Sequence, residues 1–100
     1  MGYKTEFNWV LKLKKEQGFP ERLEEGAAYS FSKKEKRVYP VGIPVFLADS
    51  SWHVSASVVV REFCVKEDET RGVFVVSSIF TEDDAKIITR IVREMYEKRV

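Results

Sequence analysis

The 100-residue sequence contains a single cysteine, Cys64, so no intramolecular disulfide can form. That excludes the small secreted scaffolds that depend on such bridges. It also contains a single histidine, His53, which excludes a multi-histidine metal site within one chain. Asparagine and glutamine occur once each, as Asn8 and Gln17, while Lys, Arg and Glu are frequent, a bias associated with thermophiles. No apolar run approaches the ~20 residues that span a bilayer, and Val73 to Val76 is typical of the longest. The N-terminal stretch breaks its apolar residues with Lys4, Glu6 and Asn8, so it does not read as a signal peptide. These absences predict a cytoplasmic protein with no membrane partner. No Gly-rich phosphate loop and no Gly-x-Ser-x-Gly elbow is present, and no cofactor is expected.

An excess of charge is missing too. Seventeen Lys+Arg oppose sixteen Asp+Glu, a formal charge of +1, which excludes a broadly basic or acidic protein. With 44% hydrophobic residues the chain is too apolar for disorder. By surface scaling a chain of this size buries about 65% of its unfolded surface, enough for one core. One domain over 1–100 is expected, β-rich over 1–80 with a helix over 81–99.

Periodicity supplies the elements. Tyr3, Thr5, Phe7, Trp9, Leu11 and Leu13 share one parity and polar residues mostly fill the other, which predicts a half-buried strand with Val10 on its wet face. Glu21 to Glu25 could form one helical turn. Ala27, Tyr29 and Phe31 alternate again, and Arg37 to Pro40 reads as the return limb of a hairpin. Pro40 and Pro44 mark an edge, a bulge or a crossing, because proline cannot donate to a ladder. Val45 to Ala48 reads as a short strand and Asp49-Ser50-Ser51 as a turn.

Trp52, Val54, Ala56, Val58 and Val60 form an even-parity apolar series, which moves to odd positions at Phe63 and Val65. Such a change of phase predicts a bulge or a crossing between core faces. Lys66 to Gly72 reads as a polar loop. Val73 to Phe80 reads as a central strand covered on both sides. Thr81 then caps a helix from about Glu82 to Lys98, with Glu82, Asp83 and Asp84 opposing the positive end of its dipole. Ala85, Ile88, Ile91, Val92, Met95 and Tyr96 form one apolar stripe, expected to pack on the sheet. The fold class predicted is α+β: a small, strongly bent, mostly antiparallel sheet or barrel of five to six strands with one C-terminal helix.

Candidate sites come from the uneven placement of charge. Residues 1–40 have a net charge of +3, residues 41–80 of −2, and residues 81–100 of zero. Lys33, Lys34, Lys36 and Arg37 stand beside Tyr39, the pattern by which cations meet phosphates while a ring stacks on a base. The competing reading is a solubilised hairpin tip beside core aromatics. Trp52, His53, Arg61 and Glu62 are candidates for a pocket rim. His53 and Cys64 have opposite parity on one strand, which reads as an exposed histidine and a core-packed cysteine. Trp9 and Trp52 read first as core anchors, with Trp52 the better rim candidate. Glu67, Asp68 and Glu69 match no cation loop and read as a solvated tip.

The segment Arg37-Val38-Tyr39-Pro40, two residues, then Ile43-Pro44-Val45 resembles a family of small Bacillus-type proteins of unknown function. Those chains carry Arg-(Ile/Val)-Tyr-Pro-x-x-Ile-Pro ahead of a valine-rich hairpin, and Glu6-Phe7-Asn8 and the turn at 68–70 also fit. That resemblance implies no activity and transfers no site residues. A curled sheet with a helix is similar, at the level of fold, to RNA-associated barrels of the PUA and ASCH type. The leading functional expectation is a binding module for RNA or single-stranded nucleic acid. The alternatives are a homo-oligomeric or protein-interaction subunit joined near Pro40 to Val45, and a small hydrolase assembling Arg37, Arg61, Glu62 or His53.

Overall fold

Alternating apolar residues need two covered faces or one, and the sheet of this protein provides each in different places. The computed structural model describes residues 8–97. Its strands are β1 (Val10–Lys12), β2 (Ala28–Lys33), β3 (Pro44–Ala48), β4 (Val54–Lys66) and β5 (Glu69–Ile79), and its helix is α1 (Glu82–Glu97). The strands form one sheet in the order β1-β3-β4-β5-β2. β1 pairs parallel to β3, and the remaining pairs are antiparallel. The sheet curls into a half-barrel with the helix at its C-terminal end, an α+β fold.

The even series of β4 carries the core. Val58 and Val60 are fully buried with Leu11, Leu13, Leu47 and Phe74 inside the curl. The ladder slips register between Val60 and Glu62, where the apolar parity changes, and Phe63 then packs against the same core. A second slip between Leu47 and Ala48 accompanies the passage of Val54 to another cluster, formed with Val10, Ala48 and Val92 of the helix.

Several local expectations are corrected. Of the described part of the expected first strand, Val10–Lys12 is paired; its residues before Asn8 lie outside the described region. Val10 is buried rather than wet, because the helix covers the second face at that point. Trp9, expected inside, is 47% exposed. The helical turn lies at Lys15–Gln17, not at Glu21 to Glu25. Arg37 to Pro40 makes no return limb, since β2 pairs with β5 instead. That segment is tied down by side chains: the Thr70 hydroxyl accepts from the Arg37 amide (2.9 Å) and donates to the Glu35 carbonyl (2.7 Å).

The polar residues after Lys66 extend the hairpin, because a backbone ladder forms whatever the side chains' polarity. Only Glu67 and Asp68 turn, both with positive φ (50° and 66°), the left-handed pair that two-residue hairpins favour. Cys64, expected in the core, is exposed on this extension. β5 is not covered on both sides: Phe74 and Val76 are buried, while Val73 and Val75 are half-buried. The single helix lies over β4, so it does not shield β5. The helix stripe divides accordingly. Ala85 and Val92 are buried, whereas Ile91 and Met95 remain exposed.

β1 and β2 are the two edges of the sheet, and Lys33 joins them. Its ammonium donates to the Lys12 carbonyl at 2.8 Å and lies 3.5 Å from Glu35. No helix among the described residues is long and apolar enough to cross a membrane.

Candidate nucleic-acid interface

The curl and the parallel pairing of β1 place residues 8–12 beside the link that follows β2. Between them lies a groove of about 870 Å³. Its cationic lining is Lys12, Lys33, Lys36 and Arg37, with Glu35 as the acid among them. Its aromatic lining is Trp9, Tyr39, Trp52 and Tyr96. Three stretches of sequence and the helix end therefore share one concavity.

Individual roles differ from the expectation. Lys33 is only 7% exposed and is occupied by Lys12 and Glu35, so it latches the sheet instead of facing solvent. Burial is the main cause that holds its ammonium below the usual lysine range. Lys34 is exposed but does not line the groove. Lys36 pairs with Asp68 at 3.2 Å between two exposed side chains, a contact worth little in water. Arg37 is held by Glu35 at 2.8 Å. Tyr39 offers no face to a base: its ring is 1% exposed and meets Phe31 and Phe63 edge to face.

Of the rim candidates, Trp52 lines the groove. Glu62 lines a separate concavity with Cys64 and Arg71, and His53 and Arg61 line neither. Arg37, Arg61, Glu62 and His53 therefore do not come together in either of these two concavities. Glu67, Asp68 and Glu69 occupy the hairpin end, with Asp68 on Lys36 and Glu69 on Arg71 and Ser32.

Trp52 is the most constrained member. Its φ is +65°, a left-handed conformation that costs a non-glycine residue roughly 1–2 kcal/mol. The Asp49 turn imposes it. The Asp49 carboxylate accepts from the amides of Ser51 (2.8 Å) and His53 (3.0 Å), and the Trp52 amide donates to the Asp49 carbonyl (3.0 Å). The indole stacks on Tyr96 with centroids 5.4 Å apart, and the Lys12 ammonium lies 4.2 Å from its centroid. Lys12 and Tyr96 were missed as site residues by sequence reasoning. No local pattern marks them, because the β1–β3 pairing and the helix packing bring them to Trp52.

The Tyr39 hydroxyl is buried without a hydrogen-bond partner among the described residues. Burial pushes its ionisation above the usual tyrosine range; Arg37 opposes the shift and Glu35 adds to it. The folded chain therefore holds this proton more tightly than the unfolded chain, whose tyrosines titrate near 10. The resulting stability is complete below about pH 10 and is lost as pH rises further. Tyr39→Phe is expected to remove that alkaline loss while leaving stability at pH 7 unchanged or slightly higher. Urea unfolding of both proteins at pH 7 and 10.5 checks it, and other groups cancel in the comparison. A variant as alkali-sensitive as the parent would contradict it.

A curled mixed sheet with a C-terminal helix thus defines the structural class of this protein, and the groove lies where the sheet's first strand meets the helix end. Among solved structures, the crystal structure of protein ytmB from Bacillus subtilis is similar, with a TM-score of 0.60. The match covers 82% of this chain and 98% of that one at 24% sequence identity, a likeness of fold. This similarity to a Bacillus protein agrees with the resemblance drawn from the sequence at that level. No family model matches the chain. No curated protein matches it.

Proposed function

We propose that this protein is a non-catalytic module that binds RNA or single-stranded nucleic acid in the groove beside Trp52. The observation that carries the reading is the convergence of Lys12, Lys36 and Arg37 with Trp9 and Trp52 on one concave surface. Phosphates seek cations and unpaired bases seek aromatic faces, so the pairing of both in one groove suits a single strand. The exposed Lys36–Asp68 pair yields readily to a phosphate, since water already screens it. The likeness of a curled sheet with a helix to RNA-associated barrels of the PUA type is at the level of fold and assigns no role to any residue.

The test is the salt dependence of oligonucleotide binding. Three phosphates neutralised by Lys12, Lys36 and Arg37 give a slope of about −2 in log affinity against log salt on single strands. Lys36→Gln should make that slope shallower by about 0.7. No binding at ~50 mM salt, or a flat response, removes the proposal.

A second reading, self-association, is favoured by the exposure of Val41, Ile43 and Phe46 around the start of β3. Sedimentation of the same samples at rising concentration separates the two. A monomer throughout would remove self-association.

A further inference from the structure

We infer that Trp52 is the platform on which the groove receives an unpaired base, and that Lys12 is a displaceable cover which leaves the indole for the adjoining phosphate. This inference rests on the single-strand reading and assigns its two central contacts.

Three observations converge on Trp52. Its backbone is held left-handed at φ +65°, a conformation that bulky side chains rarely adopt, and the Asp49 turn fastens it there. Strain of this kind persists where the surroundings over-determine a position, and it gathers at ligand sites. Tyr96 braces the ring by stacking on it, so the indole is already oriented. The remaining contact is a cation on a flexible stem. The Lys12 ammonium lies over the ring at 4.2 Å and makes no ion pair among the described residues.

A cation over a partly exposed ring is held more weakly than a base stacked on one. The base therefore displaces the ammonium. The ammonium keeps its charge and swings on its four-carbon stem to a phosphate of the same strand, which no longer has to compete for it. The Lys12 backbone need not move, because its carbonyl stays bonded to Lys33 at 2.8 Å. A duplex presents no free base face and would leave Lys12 in place. The ligand class is accordingly an unpaired nucleobase together with its phosphate.

The experiment compares oligo-adenylate with an abasic strand of equal length and charge, titrated against the full chain and its variants at ~50 mM salt. The native protein should bind oligo-adenylate about tenfold more tightly than the abasic strand. In Trp52→Leu that preference should shrink to within about twofold, while affinity for the abasic strand stays the same. In Lys12→Gln the preference should persist and the salt slope should become shallower by about 0.7. Circular dichroism establishes that each variant folds. Should Trp52→Leu unfold, the native preference and the surface variant Lys12→Gln still decide the matter. Equal affinity for both strands, or a preference that survives in Trp52→Leu, overturns the assignment and leaves the groove reading standing. An unchanged slope in Lys12→Gln overturns the assignment and reduces the groove reading to the phosphates of Lys36 and Arg37, a slope of about −1.4. Failure of either strand to bind the native protein overturns both.

Discussion

Phe74→Ala is expected to lower the unfolding free energy by about 3–5 kcal/mol. Phe74 lies fully buried on the inner face of β5. Its ring is 5.7 Å from that of Tyr29 and 6.1 Å from that of Phe31, both on β2. Across the other ladder it pairs with Val60, which is also fully buried. Removing the ring withdraws apolar area from the core and opens a cavity that two hydrogen-bonded neighbours cannot close. A domain of this size has only about 5–15 kcal/mol of stability in total. At roughly 4–8 °C per kcal/mol the melting temperature should fall by about 15 °C or more. Val75→Ala, one residue away on the half-covered face, should cost clearly less. Urea unfolding of the two variants checks this, and comparable losses would contradict the inner face as the main core.

Gly18→Ala is expected to cost about 2–5 kcal/mol, the sum of backbone strain and overpacking. Gly18 ends the turn after β1 with φ +112°. A methyl group there would meet the Ser30 carbonyl oxygen of β2 and lie 3.0 Å from the Phe31 Cα. Both obstacles are backbone, so neither can rotate away. This close approach is where the segment from β1 crosses to the opposite edge of the sheet, beside the Lys33 latch. Gly42→Ala is the matched control: its φ is +80°, yet nothing lies within 4 Å of the added carbon. It should show the strain alone, about 1–2 kcal/mol. Equal losses at Gly18 and Gly42, measured by thermal and urea unfolding, would show that the approach to β2 is not tight.

Much of the architecture was legible in local pattern. The even series from Val54 to Val60, the change of phase beyond it and the capped helix all follow from which residues must leave water. The Thr81 cap is present, its hydroxyl accepting from the Asp84 amide at 3.2 Å. What alternation cannot express is which strand lies next to which. Ala28–Lys33 reads as half of a hairpin with the segment after it, yet its partner is β5, about forty residues onward. Nor can parity show that a second face is covered, as it is over Val10, because the cover comes from the helix.

The candidate site divides in the same way. The basic run at Lys33 to Arg37 and the rim candidacy of Trp52 beside a polar turn are visible as composition. Their uses are not. Lys33 and Lys36 are two similar cations three residues apart, but one latches two strand edges and the other stands at the surface. Tyr39 looked available for stacking because it follows a charged run, and the core took it because Phe31 and Phe63 enclose it.

The sequence by itself determined a bent sheet with one helix, the buried face of β4 from Val54 to Val60, the bulge at its change of phase and the cap of the helix. Single-chain periodicity and capping are local physics, readable over a few residues. Only the tertiary structure decided the order β1-β3-β4-β5-β2, the latch between its edges, and the meeting of Lys12, Trp52 and Tyr96. Those contacts join residues tens of positions apart, and no local preference specifies them. They arise when the sheet curls to bury Phe74 and its neighbours, and the groove is what that curl leaves open.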